Sequence, residues 1–392
     1  MHPATRAVRA GIATDTAFGA VVPPIHLSTN YSFEELGRPR QYDYTRSGNP
    51  TRQLLIEALT ALEGGAGSVV TSTGMSAVAL VLQVFGAGGL VVAAHDCYGG
   101  TRRVLDGLAR LGFLSVRYAD LTVNGELESF GDRPRLVWIE TPSNPLLRIT
   151  DIRDVARRGR AAGALIVVDN TFLSPALQRP IELGADLVVH SVTKYLNGHS
   201  DVVAGAVVAA GSTHAEELTW WANCLGVSGA PFDAWLVLRG IRTLHARMAC
   251  HLSGTEAVVA LLAGHAAVKR VHYPGLPSHP GHSVARAQQS GFGALVSFEL
   301  HGGQRTLRAF LGSLELFTLA ESLGGVESLV AHPATMTHSA MTPEARAQAG
   351  ISDRLLRLSI GIEHPADLVS DLRTGLDRAR ETREARRAAL VS

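Results

Sequence analysis

Two of the 36 basic side chains in this 392-residue chain are lysines, Lys194 and Lys269. Lys194 lies in HSVTKYLNGHSDVVAG, which continues the apolar run ADLVVH at 185–190. Arginine keeps its proton under ordinary conditions, whereas a lysine amine can shed its proton and attack a carbonyl. A chain that uses arginine almost everywhere leaves two readings for Lys194. It is an ion-pairing side chain, or it is an amine kept for chemistry, with Schiff-base formation foremost.

The second reading makes demands on the neighbours. An amine that binds pyridoxal 5'-phosphate needs a carboxylate that keeps the pyridine nitrogen protonated, so that the ring can accept electrons. Asp169, closing the apolar run ALIVVD, has the right type and place. The phosphate needs a cradle. Ser191 and Thr193 flank the lysine, and STGMS at 72–76 opens a helix whose first backbone N–H groups favour an anion. A flat side chain should stack on the ring, and Tyr98 in HDCYGG is available. Singly, each has an ordinary explanation: a strand-end Asp caps a turn, STGMS caps a helix, and a tyrosine packs half-buried. It is their combination that points to the cofactor. Cys97, beside Tyr98, reads as a small packed residue.

Other phosphate and metal sites are excluded by type and spacing. A Walker loop needs GK followed by Ser or Thr, but Lys194 precedes Tyr195 and Lys269 precedes Arg270. EGGAGSV is only a partial dinucleotide fingerprint, no HExxH or EF-hand loop occurs, and the 16 histidines match no ligand spacing, so no metal is expected. The net charge of +1 predicts neither a nucleic-acid nor a membrane-surface partner. Three cysteines without a CxxC pair fit a reducing compartment, and MHPATRAVRAG lacks the apolar core of a signal peptide.

The elements that must position these residues are legible as apolar runs. Seven read as strands: 68–70, 90–94, 113–118, 135–140, 164–169, 185–190 and 202–208. Helices fill most gaps. The first is NPTRQLLIEALTALEGG, with Asn49 as N-cap, Pro50 at its first position and Gly64 past its end. Continuous apolar strands alternating with helices predict an α/β domain with a mostly parallel sheet covered on both faces. AVALVLQVFGAGGLVVAA (77–94) has the length of a membrane span, but GAGG divides it into a helix, a turn and a strand. Beyond about 250 the pattern becomes a smaller α+β domain containing GALVSFEL and LLRLSI. The expected organisation is an extended arm at 1–48, an α/β domain at 49–250 and an α+β domain at 251–392. Ligands of an open parallel sheet bind beyond the carboxyl ends of its strands. The polar residues there are Thr73 and Gly74, Asp96 to Tyr98, Glu140 with Asn144, Asp169 with Asn170, and His190 to Lys194.

YTRSGNPT, STGMSA, HDCYGGT, ETPSNPLL, VVDNTFLSP, HSVTKYLNGHSDVVAG and LAESLGGVESL resemble the transsulfuration enzymes of cysteine and methionine metabolism. These are pyridoxal-phosphate enzymes of fold type I, the aspartate-aminotransferase fold. The resemblance spans about 6–380 and implies a large, mostly parallel seven-stranded sheet domain with a smaller C-terminal α+β domain. It implies that Lys194 carries the cofactor and moves protons, Asp169 pairs with the ring nitrogen, Tyr98 stacks on the ring and Asn144 touches the ring oxygen. It assigns the phosphate to Gly74, Met75, Ser191 and Thr193, with Tyr44 and Arg46 supplied by the arm of a partner subunit. Arg357 would clamp the substrate α-carboxylate and Ser322 would position the lysine. Glu321 suits a distal ammonium. Arg103 is either a ligand for a succinyl carboxylate or an exposed helix arginine, and Asp43 joins the substrate set as a minor pointer to the branch.

Within the family, WWANCLGVSGAPFDAWLVLRGIRTL, DYTR and GIEHPADL match best the branch that performs γ-replacement on an O-acyl-homoserine with cysteine. The implied assembly is a cytoplasmic homotetramer of two active-site-sharing dimers acting on small amino acids. γ-Elimination, sulfhydrylation, and non-covalent binding of a small molecule are the rival readings.

Overall fold

Asn49 accepts hydrogen bonds from the Thr51 and Arg52 N–H groups, Pro50 follows at the first helical position, and Gly64 ends the helix Pro50–Glu63 in the left-handed region. This capped helix covers one face of the first sheet. The computed structural model describes residues 1–122, 133–339, 341 and 343–391. Two compact units divide the chain: Met1–Thr141 with Thr150–His245, and Pro142–Ile149 with Ala246–Ser392.

The first unit is built on seven strands: β1 (Gly67–Thr71), β2 (Leu90–Ala94), β3 (Ser115–Ala119), β4 (Leu136–Glu140), β5 (Leu165–Asp169), β6 (Leu187–Ser191) and β7 (Gly205–Ala209). Their spatial order is β1-β7-β6-β5-β4-β2-β3. Only β7 runs against its neighbours, so β1 to β6 share one direction. Every side chain of β4 and β7 is buried, which is why these strands read as unbroken apolar runs rather than alternating ones. The helix Gly74–Phe85 packs on β6 and β7, and Trp138 of β4 is wholly buried in the core. Glu140, Asp169 and Ser191 therefore end neighbouring strands on one edge.

The arm has short bridges, Asn30 to Tyr44 and Glu35 to Arg38, instead of long elements. It is tied down by the buried Arg52, which donates to Thr45 O, Arg46 O and Gly229 O. Phe18, Phe33 and Leu36 remain exposed.

The second unit has a five-stranded sheet: β8 (Val268–His272), β9 (Leu295–Leu300), β10 (Thr318–Leu319), β11 (Leu329–Ala331) and β12 (Leu355–Ser359), in the order β10-β11-β12-β9-β8. The helix Gln304–Leu311 packs against the helix Pro365–Val391. Among the described residues no helix is long and apolar enough to cross a membrane; the apolar stretch at 77–94 is the helix Gly74–Phe85, a turn and β2.

Candidate active site

In the first unit, Lys194 begins a tight turn after β6. Its N–H donates to Ser191 O at 3.2 Å and its carbonyl accepts from Gly198 N at 2.8 Å. The side chain is partly exposed, while its neighbour Tyr195 is fully buried. The buried Tyr195 anchors the segment that carries Lys194.

Asp169 closes β5, and its Oδ1 accepts the Thr171 N–H at 3.0 Å. Burial pushes this carboxyl upward; hydrogen bonds from Thr171 and the nearby His190 oppose the shift. The ionised form, which Thr171 and His190 favour, is the one able to pair with a protonated ring nitrogen. Thr171 also accepts the Ser191 N–H on its hydroxyl at 2.8 Å, so one side chain fixes the ends of β5 and β6 together.

The phosphate cradle is set by closeness of backbone. A Cβ added at Gly74 would lie 2.9 Å from Ser191 Cβ and 3.0 Å from Ser191 Oγ. Only glycine lets the Ser191 hydroxyl stand beside the first turn of the helix. Thr73 caps that turn by accepting the Ser76 N–H at 2.9 Å. The Gly74 and Met75 N–H groups have no acceptor within the chain among the described residues. Free donors at a helix N-terminus beside a hydroxyl suit a phosphate, so the residues present fit pyridoxal phosphate. Thr193 differs from the sequence expectation in where its side chain goes. Its hydroxyl donates to Ala204 O at 3.2 Å and accepts from Ala204 N at 3.0 Å, bracing the turn.

Tyr98, 41% exposed, has its N–H held by Glu140 Oε2 at 2.6 Å. Gly100 admits it: a Cβ there would press on the Tyr98 ring and lie 2.7 Å from Met75 Sδ. The ring and the first turn of the helix Gly74–Phe85 are thus neighbours through a glycine. Glu140 and Gly100 seat Tyr98, a part to which sequence reasoning did not assign them. The available signal was a carboxylate ending an otherwise apolar strand. Cys97 is buried and its thiol is pushed up by burial and by Glu140, as for a packed residue. Arg103 is exposed on the helix Gly99–Arg110.

In the arm, Tyr44 is exposed with the Arg46 guanidinium 5.5 Å from its ring centre. Arg46 Nε donates to Asn223 Oδ1 at 3.0 Å. Asp43 turns inward on its own loop, accepting from Tyr44 N at 2.6 Å and from the Ser47 hydroxyl at 2.7 Å, and these bonds hold its carboxyl low.

The second unit carries the remaining candidates. Arg357, buried in β12, donates from Nη1 to Asn144 Oδ1 and from Nη2 to Ser322 O, both at 2.8 Å. Ser322 has φ +83°, an uncommon conformation for a residue with a side chain. His338 is buried, and its Nε2 donates to Asn144 O at 3.2 Å. Glu321 is exposed. Among the described residues no group of three or more His, Cys, Asp or Glu side chains could hold a metal.

A mostly parallel sheet with a lysine-bearing turn, a strand-ending aspartate and a helix N-terminus at the same edge is the arrangement of fold type I pyridoxal-phosphate enzymes. The smaller sheet unit is the other part of that fold. The chain belongs to the Cys/Met metabolism PLP-dependent enzyme family, which it matches over residues 4–377. It is 56% identical over 374 residues to the cystathionine gamma-synthase of Escherichia coli (strain K12), covering 95% of this chain and 97% of that one. The crystal structure of cystathionine gamma synthase from Xanthomonas oryzae pv. oryzae in complex with aminoacrylate and cysteine is similar at TM-score 0.96 and 61% identity, over 97% of this chain and 99% of that chain. A cystathionine beta-lyase of Lactococcus lactis subsp. lactis (strain IL1403) is 44% identical over 375 residues, covering 95% and 98%.

Proposed function

We propose that this enzyme joins O-succinyl-L-homoserine and L-cysteine into L-cystathionine, releasing succinate. The observation that carries this reading is the identity of 56% and 61% to two gamma-synthases over nearly the whole chain, against 44% to the beta-lyase.

Bound through Lys194, pyridoxal 5'-phosphate supplies an electron sink for charge developing on the substrate carbons. The chain's own residues do the rest. Ser191 and the Gly74 and Met75 N–H groups hold the phosphate, with Tyr44 and Arg46 added from a partner subunit's arm. Asp169 keeps a proton on the ring nitrogen. Tyr98, seated by Glu140, packs flat on the ring, and Asn144 offers its amide to the ring oxygen. The Lys194 amine takes the proton from substrate Cα and later returns it. Such a placed base contributes roughly 10²–10⁴ in rate. Arg357 receives the α-carboxylate as a fork, the backbone at Ser322 orients that fork, and Glu321 receives the distal ammonium of the incoming amino acid. Arg103, exposed and cationic, receives the succinyl carboxylate, and Asp43 shapes the loop that carries Tyr44. The exposed arm side chains Phe18 and Leu36 are covered by another copy in a tetramer of site-sharing dimers. The compartment is the cytoplasm, in keeping with three free cysteines.

γ-Elimination from cystathionine is the second reading, favoured by the likeness to the cystathionine gamma-lyases of Dictyostelium discoideum and Bacillus subtilis (strain 168). A product assay by mass spectrometry separates them. Cystathionine formed only when both substrates are present, faster than cystathionine is cleaved, supports synthesis. Cleavage with little synthesis moves the enzyme to the lyases.

A further inference from the structure

Glu63 is the last residue of the helix Pro50–Glu63 and is 0% exposed. Both facts disfavour a carboxylate. Burial removes its hydration, and the carboxyl end of a helix carries partial negative charge. A leucine would serve the packing better. The carboxylate is nevertheless engaged: Glu63 Oε1 takes a hydrogen bond from Asn170 Nδ2 at 2.9 Å and lies 2.7 Å from His190 Nε2. His190 is 1% exposed. Asn170 is in turn fixed by Gln178, whose Nε2 donates to Asn170 Oδ1 at 3.1 Å and to Thr141 O at 3.0 Å.

The two residues that grip Glu63 are each one step from the cofactor set. Asn170 follows Asp169, and His190 precedes Ser191. Because Asn170 has only N–H to give through Nδ2, Oε1 is an acceptor, and His190 must donate to it. His190 Nδ1 and Glu63 Oε2 make no hydrogen bond. The other charged groups around the cluster are Asp169, which His190 favours in its ionised form, and Arg179. Arg179 donates to Leu62 O at 3.0 Å and is paired with Glu182.

We propose that Glu63 is a positioning residue that holds His190 as a cation, and that this cation keeps Asp169 ionised against the cofactor's ring nitrogen. The inference rests on the reading of Asp169 as the ring-nitrogen partner. The signs then alternate, Glu63 negative, His190 positive, Asp169 negative, ring N–H positive, with Asp169 paired across β5 and β6 to Val189, the neighbour of His190. A buried ion pair that costs stability is retained because it sets the charge of the electron sink. Without Glu63 the imidazole has no counter-charge at that end, Asp169 loses its cation, and the shared proton settles on Asp169 instead of the ring.

The experiment is nitrogen NMR of holoenzyme reconstituted with ring-15N pyridoxal 5'-phosphate, for the parent, Glu63→Gln and Asp169→Asn. Gln keeps an acceptor for Asn170 and His190 and removes only the charge. The expected result is a ring-nitrogen resonance displaced toward unprotonated pyridine in both variants, further in Asp169→Asn. The pH midpoint of the cofactor's visible absorbance should shift by about half a unit or more in Glu63→Gln, as expected for loss of one buried charge. A parent-like ring nitrogen in Glu63→Gln overturns the proposal. If Asp169→Asn also leaves that nitrogen protonated, the assignment of Asp169 falls first; if it responds and Glu63→Gln does not, only the role of Glu63 falls. Should Glu63→Gln not fold, 15N-histidine spectra of the parent holoenzyme decide. A His190 ring with both nitrogens protonated near neutral pH supports the proposal, and a neutral ring overturns it.

Discussion

Arg357 and Asn144 are joined side chain to side chain, Nη1 to Oδ1 at 2.8 Å, although 213 positions separate them in the chain. The segment Pro142–Ile149 thus belongs with the second unit, and Arg357 is its anchor. The other end of the fork donates to Ser322 O. A planar guanidinium can serve both oxygens at once and keep donors for a ligand; an ammonium cannot.

Arg357→Lys should therefore lose more than charge geometry at the ligand. Losing about two charge-assisted hydrogen bonds at 1.5–3 kcal/mol each predicts a fall in kcat/KM of roughly 10²–10⁴. Most of the loss should sit in KM for the homoserine ester. Steady-state kinetics with both substrates varied would check it; an unchanged KM would remove Arg357 from the carboxylate site.

Gly74→Ala places a methyl group 2.9 Å from Ser191 Cβ, against backbone that Thr171 holds in place. Relief requires the helix N-terminus or Ser191 to shift by a few tenths of an ångström. The phosphate cradle is then the casualty. The expected outcome is a cofactor affinity weakened by about tenfold or more, equivalent to about 1.4 kcal/mol, with the apo form's unfolding nearly unchanged. Titrating apo protein with pyridoxal phosphate and following the absorbance measures this directly. Equal affinity in the two proteins would show that the cradle is looser than its contacts suggest.

Much of this was legible in the sequence, for physical reasons. Buried parallel strands must be apolar throughout, so the runs at 90–94, 164–169 and 185–190 announce β2, β5 and β6, and any polar residue at their ends stands out. Asp169 and Lys194 stood out in this way. The second sheet was less legible. No residue of β8 (Val268–His272) is buried, and β10 is two exposed residues, so neither leaves an apolar run. The local bonds of Thr193 to Ala204 and of Asp43 to Ser47 could not be read either, because hydroxyls and carboxylates look the same in a sequence whether they face a ligand or their own loop. Glu63 was invisible for a related reason. A Glu ending a helix normally faces water, and only the fold, which brings Asn170 and His190 to that end, buries it.

Lys194→Ala should keep the fold and lose the chemistry. The side chain is partly exposed, while the turn is anchored by Tyr195 and by backbone bonds to Ser191 and Gly198. Turnover should fall by at least about 10³, since both covalent attachment and proton transfer go with the amine. Pyridoxal phosphate should still bind through the cradle but leave on dialysis, whereas the parent should retain it. Normal steady-state turnover in this variant would end the assignment.

Acid should weaken the second unit through two histidines. Burial, with Arg357 beside it, lowers His338 to about 4, and burial with Arg270 lowers His272 to about 4 despite Glu299. An unfolded histidine titrates near 6.5. Below about pH 6.5 the unfolded chain takes up protons that the folded unit refuses, so the unfolded state binds more protons and stability falls as pH drops. The contribution is complete above about 6.5 and is lost progressively toward pH 4, at about 3 kcal/mol for each group. The neutral form of His338 is also the one the structure uses: Nε2–H donates to Asn144 O while Nδ1 accepts the Thr337 hydroxyl. His338→Gln should therefore be less stable at pH 7.5, where Asn144 O loses its donor, yet show a shallower decline between pH 6.5 and 4.5. Urea midpoints of the apo protein across that range test both parts. A decline as steep as the parent's would mean that His338 takes up its proton in the folded state as easily as in the unfolded chain.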